Sequence, residues 1–200
     1  RQADRDPTID QLTALHHRVV RDGFGPYTDF AVWGPYGRRQ TKLMKFTAQV
    51  WVGGELVTRQ LTGPANFEAW RACWRVFRAA MILLGACLPG PLDEYEENIR
   101  TLAIGYGQKA WGTLSHADEI MRSEWWERLR SRIEQKRRLG HYFELWDESK
   151  PWQGVIRDSA RDELCNGYWE ENARRLVGGV HAKVAGVDVR SNNLPQLAKK

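Results

Sequence analysis

Residues 63–84 read GPANFEAWRACWRVFRAAMILL, and they decide the fold class. Phe67, Trp70, Trp74, Phe77, Met81 and Leu84 recur every three or four positions, the period of one face of an α-helix. Gly63-Pro64 stops whatever precedes, and Asn66 stands where a helix cap belongs. A stripe carrying that many rings must be covered by other apolar faces. The chain on both sides supplies them.

Toward the N-terminus the period changes to two. Phe46, Ala48, Val50 and Val52 alternate with Lys45, Thr47, Gln49 and Trp51, then Gly53-Gly54 intervenes before Glu55 to Leu61 runs back. Two glycines between such runs specify a type I′ hairpin, because both central residues need positive φ. That register faces Val50 with Val57 and Phe46 with Leu61, and puts Trp51 opposite Leu56 on the other face. Before it, residues 24–37 repeat an aromatic/Gly/Pro theme, which reads as an ordered loop packed on the body. Asp6-Pro7-Thr8 opens a first helix with Ile9, Leu12, Leu15 (or His16) and Val19 inward, stopped by Gly23.

Toward the C-terminus the reading is helical. Pro89-Gly90-Pro91 breaks the chain, and Asp93, Glu94, Glu96 and Glu97 then crowd the first turns of a helix with Leu92, Tyr95, Ile99 and Leu102 inward. A long helix follows over about 108–138, with Trp111, Leu114, Ala117, Met121, Trp125, Leu129 and Ile133 on one stripe and Gly140 as its stop. Further helices are expected from Pro151 and over 167–177. Residues 178–200, small, polar and basic, read as a flexible tail. The expected architecture is mainly α with a minor β component: a bundle of five to six helices with one N-terminal β-hairpin packed against it. Its parts are residues 1–23, 24–62, 63–140, 141–177 and 178–200, with 24–177 forming one domain.

Composition excludes several classes. With 42% hydrophobic and 28% charged residues in 200, the chain is globular rather than disordered or membrane-spanning. Cys73, Cys87 and Cys165 are odd in number and far apart, which argues against a disulfide framework and for an intracellular compartment, cytoplasmic or nuclear. The longest apolar run, 79–88, is interrupted by Gly85 and too short to span a bilayer. Arg1 in place of an initiator methionine reads as a segment of something longer. No cofactor or metal is implied, because no cysteine has zinc-ligand spacing and His16-His17 diverge on a helix.

Catalytic motifs fare no better. In Ser115-His116-Ala117-Asp118, neighbouring helical positions diverge by about 100°, so serine, histidine and aspartate cannot align as a triad. Gly178-Gly179 lacks the lysine and strand-to-helix context of a phosphate loop. The chain therefore reads as non-enzymatic, with no small-molecule substrate.

Two basic groups remain. Arg71, Arg75 and Arg78 lie opposite the Trp70/Trp74 stripe and read as a solvated outer face, with phosphate tracking as the competing reading. From 122 to 138 there are seven basic residues against three glutamates. Pairing at i,i+4 and the helix dipole account for part of this. The surplus marks Arg128, Arg130, Arg132, Lys136, Arg137 and Arg138 as candidate contacts to RNA or DNA.

The motifs Phe24-Gly25-Pro26-Tyr27-Thr28-Asp29-Phe30-Ala31-Val32-Trp33-Gly34-Pro35, Gly63-Pro64 with Phe67, Trp70 and Trp74, and Asp93, Tyr95 and Glu96 form the first part of a larger pattern. It continues through Tyr106-Gly107, Ala110-Trp111, Ala117-Asp118, Arg122-Ser123-Glu124, Pro151-Trp152 and Trp169. Over most of residues 24–177 it resembles a multi-copy family of uncharacterised dinoflagellate proteins associated with retroelement-like open reading frames. That resemblance implies a Gag-like or capsid-like structural protein made to self-associate or to package RNA. A zinc knuckle, where such a protein uses one, would lie beyond Lys200.

Ten tryptophans are more than one small core obviously needs. Trp70, Trp74, Trp111 and Trp125 fall on buried stripes, while Trp33 and Trp152 adjoin prolines and pin local structure. Trp51, Trp126 and Trp169 lie on the other sides of their elements. Trp51 and Trp126 are therefore the expected partner-facing residues.

Overall fold

The computed structural model describes residues 6–33, 45–52 and 55–172. At its centre is helix α2 (Phe67–Leu83), whose Asn66 side chain accepts the Ala69 N–H at 2.8 Å. Trp70, Trp74, Phe77 and Met81 are buried along one face, as their spacing requires. Trp70 stacks on Trp74 at 5.1 Å and Trp74 on Tyr95 at 5.0 Å. Phe30 and Trp33, from a short 3₁₀ turn (Phe30–Trp33), close the other side of these rings. That accounts for the packed aromatic loop as far as Trp33; residues 34–37 lie outside the described part.

Helix α1 (Ile9–Leu15) starts with a reciprocal cap between Thr8 and Gln11 and continues into a wider π-type turn over His16–Arg21. Leu15 and Val19 face inward, but Ile9 is exposed and Gln11 is buried in its stead. The amide of Gln11 donates to the Val32 carbonyl at 2.6 Å, so the burial is hydrogen-bonded. Strands β1 (Lys45–Val52) and β2 (Glu55–Thr62) pair antiparallel, with Phe46 opposite Leu61, Val50 opposite Val57 and Trp51 opposite Leu56. β1 packs on helix α4 (Trp111–Ile120). The Gly53-Gly54 turn lies outside the described residues.

Helix α3 (Pro89–Tyr106) corrects one boundary. The Pro-Gly-Pro run is its first turn rather than a break, because proline's missing N–H falls where a helix has no acceptor for it. The acidic residues consequently sit in the second and third turns and form ion pairs instead of marking the start. Asp93 takes Arg78 and Glu96 takes Arg71, each at 2.7 Å. Two arginines expected to be solvated thus tie α2 to α3.

The expected long helix is four pieces end to end: a 3₁₀ turn (Gln108–Ala110), α4, a π turn (Met121–Trp125) and α5 (Trp126–Arg138). In the π turn the Trp126 N–H reaches back five residues to the Met121 carbonyl. The extra residue rotates everything downstream by about one position. Met121, Leu129 and Ile133 keep their place on the buried stripe, but Trp126 enters the core and Trp125 is left half-buried. Trp126 is therefore no exposed partner residue: it is 0% exposed and its indole donates to the Ser159 hydroxyl at 3.0 Å. Trp169 is likewise buried, donating to the Ser159 carbonyl at 2.7 Å. Trp51 keeps its strand position, and its side chain is not among those described.

Helix α6 (Pro151–Arg161) is buried from Trp152 to Ser159, packed between α3 and α5. Asp162 ends it in the left-handed conformation and accepts the backbone N–H groups of Tyr168 and Trp169, starting a further helical turn over 168–172. The remainder of the expected 167–177 helix and the expected tail lie outside the described residues.

Candidate nucleic-acid interface

The basic end of α5 is divided by geometry into two sets. Arg130, Arg132 and Arg137 are turned inward. Arg130 holds Glu134 at 3.0 Å and the Gly23 carbonyl at 2.5 Å, with its guanidinium over the Trp152 ring. Arg132 donates to the Leu164 carbonyl at 2.5 Å and lies 5.3 Å from the Trp125 ring. Arg137 lies 4.9 Å from the Trp146 ring. These three carry structure as well as charge.

Arg128, Lys136 and Arg138 are exposed. Arg128 meets Glu124 at 3.0 Å in an open pair of the kind that contributes little. Beside Lys136 and Arg138 stand Leu139, 73% exposed, and Tyr142, 86% exposed. Gly140, with φ of +88°, makes the turn that swings Tyr142 out beyond the helix end. Exposed cations and an exposed ring thus stand at the same end of α5, and these are the two group types that single-strand binding uses.

Next to this edge α5 and the start of α6 enclose a cleft of about 400 Å³, lined by Arg130, Glu134, Arg137, Arg138, Trp146, Glu148 and Pro151. A ring five residues before a proline-started helix gives no sign in periodicity that it will line a cleft.

Elsewhere, a polar network around Asp118 is committed to the core. Asp118 is buried and accepts from Trp70 Nε1 and the Tyr95 hydroxyl, each at 2.9 Å, and from Arg122 Nε at 3.0 Å, with Arg122 Nη2 ion-paired to it at 2.8 Å. Burial pushes the Tyr95 hydroxyl well above the usual range, with the Asp118 charge adding to it. The Ser115-His116-Asp118 run is split as expected: Ser115 donates to the Gly112 carbonyl, His116 meets Glu119 on the surface at 3.8 Å, and Asp118 points into the core. The Glu119 carboxylate beside it raises the His116 pKa. Burial pushes the nearby Tyr27 hydroxyl up to about 12. Among the described residues no cluster of His, Cys, Asp and Glu is arranged to hold a metal, and no helix is long and apolar enough to cross a membrane.

No protein-family model matches the chain, and neither a curated protein nor a solved structure does.

Proposed function

We propose that this is a non-enzymatic module that binds single-stranded nucleic acid along the end of α5, in keeping with the Gag-like resemblance. One observation carries the reading: Arg138, exposed, lines a cleft walled by arginines and an indole, and Lys136 and Tyr142 are also exposed at the same end of the helix. Cations supply affinity without sequence preference, and a ring supplies a platform that any base fits. Binding to a single-stranded RNA is expected to weaken steeply with salt. The Lys136→Gln/Arg138→Gln double variant is expected to lower the slope of log affinity against log salt by about 1.5. An unchanged slope sinks the reading.

A second reading, self-association of a capsid-like scaffold, is favoured by Leu83 and Leu88, 67% and 48% exposed on either side of the α2–α3 turn. Light scattering at rising protein concentration tests it. A monomer throughout, with Leu83→Ser unchanged from the parent, rejects it.

A further inference from the structure

We propose that the cleft between the last turn of α5 and the start of α6 is a binding site for a terminal phosphate; only the identity of the phosphate's carrier, a nucleic-acid strand, rests on the function proposed above. The lining divides into fixed and available groups. Arg130 is fixed by Glu134, the Gly23 carbonyl and the Trp152 ring, so it forms a rigid cationic wall. Arg137 lies over the Trp146 ring and has one long ion-pair contact, 3.4 Å to Glu148, whose side chain is 82% exposed and free to leave. Arg138 has no partner among the described residues. Trp146 Nε1 is shielded from solvent yet finds no acceptor there. A buried N–H without a partner calls for one.

A phosphate supplies what these groups lack. Guanidinium groups bind it through paired N–H donors, and an indole N–H is a donor only. Pro151 opens α6 without a side-chain cap, so the positive end of that helix faces the same space. The opposing carbonyls at the end of α5 are occupied by the N–H groups of Leu139, Gly140 and His141.

The test follows the Trp146 indole N–H by NMR in the full chain, with Trp146→Phe to assign it. Titration with inorganic phosphate is expected to move that resonance saturably. Arg137→Gln/Arg138→Gln is expected to weaken the effect at least about tenfold, and Glu148→Gln to strengthen it, since a competing carboxylate is removed. In parallel, a 5′-phosphorylated oligonucleotide is expected to bind several-fold tighter than its 5′-hydroxyl counterpart. If phosphate moves the indole but no oligonucleotide binds, the cleft stands as a phosphate-ester site and the nucleic-acid reading falls. If both oligonucleotides bind equally and phosphate leaves the indole unmoved, the cleft proposal is overturned while strand binding survives. A phosphate response unaltered in the double arginine variant also overturns it.

Discussion

Among the described residues two aspartate–arginine pairs are buried, and they differ in how completely they are satisfied. Asp118 and Arg122 stand four residues apart across the α4–π junction, so both project from one side of the helix. The carboxylate takes three hydrogen bonds from three side chains and the ion pair with Arg122, whose guanidinium also lies 3.8 Å from the centroid of the Phe30 ring. Arg157 and Asp158 are neighbours on α6 and so diverge. Their closest approach is 3.6 Å, and Arg157 turns instead to Glu144 at 3.3 Å. Arg157 Nε, both oxygens of Asp158 and Gln153 Oε1 find no hydrogen-bond partner among the described residues. The same two residue types thus make a closed network at one spacing and an open one at another, which is the difference between a buried charge that organises a core and one that burdens it.

The comparison breaks most visibly at the closed network. Asp118→Ala removes the acceptor for Trp70, Tyr95 and Arg122 together and strands a buried guanidinium. A loss of about 4 kcal/mol is expected in denaturant unfolding at neutral pH. Asp118→Asn, which keeps one acceptor oxygen, should lose less. A cost below about 1 kcal/mol for the alanine variant would show that the network contributes little.

At the open pair the sign reverses. Burial, reinforced by the Glu163 charge and opposed by Arg157, pushes the Asp158 carboxyl up to about 6. Arg161 and Cys165 are also within electrostatic reach of it. Between the ordinary carboxyl value of 3.8 and about 6 the folded chain keeps a proton that the unfolded chain has lost. Stability therefore falls as pH rises through that window, and the whole cost is present above it. Asp158→Asn is expected to stabilise the protein by about 2 kcal/mol at pH 7 and to flatten this part of the pH profile. A variant less stable than the parent at pH 7 would mean that Asp158 is held by partners that outweigh its burial.

These two sites also show what was legible in the sequence. The mainly helical class, the α2 stripe and the hairpin register followed from periodicity alone, because burial of a continuous apolar face decides them. Asp118 was visible, but only as a failed triad member. Its partners Trp70 and Tyr95 lie 48 and 23 residues away, a convergence that tertiary packing creates and local spacing does not carry. Trp126 was misplaced for a sharper reason. A π turn inserts one residue into the helical count, and the adjacent Trp125-Trp126 pair offers either ring to the core with equal chemistry. Trp125 then rests between the Arg128 and Arg132 guanidiniums, at 5.5 and 5.3 Å, a setting that suits a half-buried ring. The basic end of α5 was legible as charge, but not in its division between inward and outward arginines.

The smallest expected effect is the most discriminating one. Arg157→Met removes a guanidinium whose Nε has no partner and whose main contact, Glu144, is 76% exposed. A thioether of similar length fills the same space without a charge to desolvate, while the weak attraction to Asp158 is lost. The two changes oppose each other, so a net change within about 1 kcal/mol is expected. The loss of that attraction should raise the Asp158 carboxyl further, moving the pH window of destabilisation upward. Arg122→Met, chemically the same substitution in the closed network, leaves Asp118 buried with only its neutral donors and is expected to cost about 3 kcal/mol. Equal costs at the two positions would mean that burial alone, and not the completeness of the network, sets the energy of these pairs.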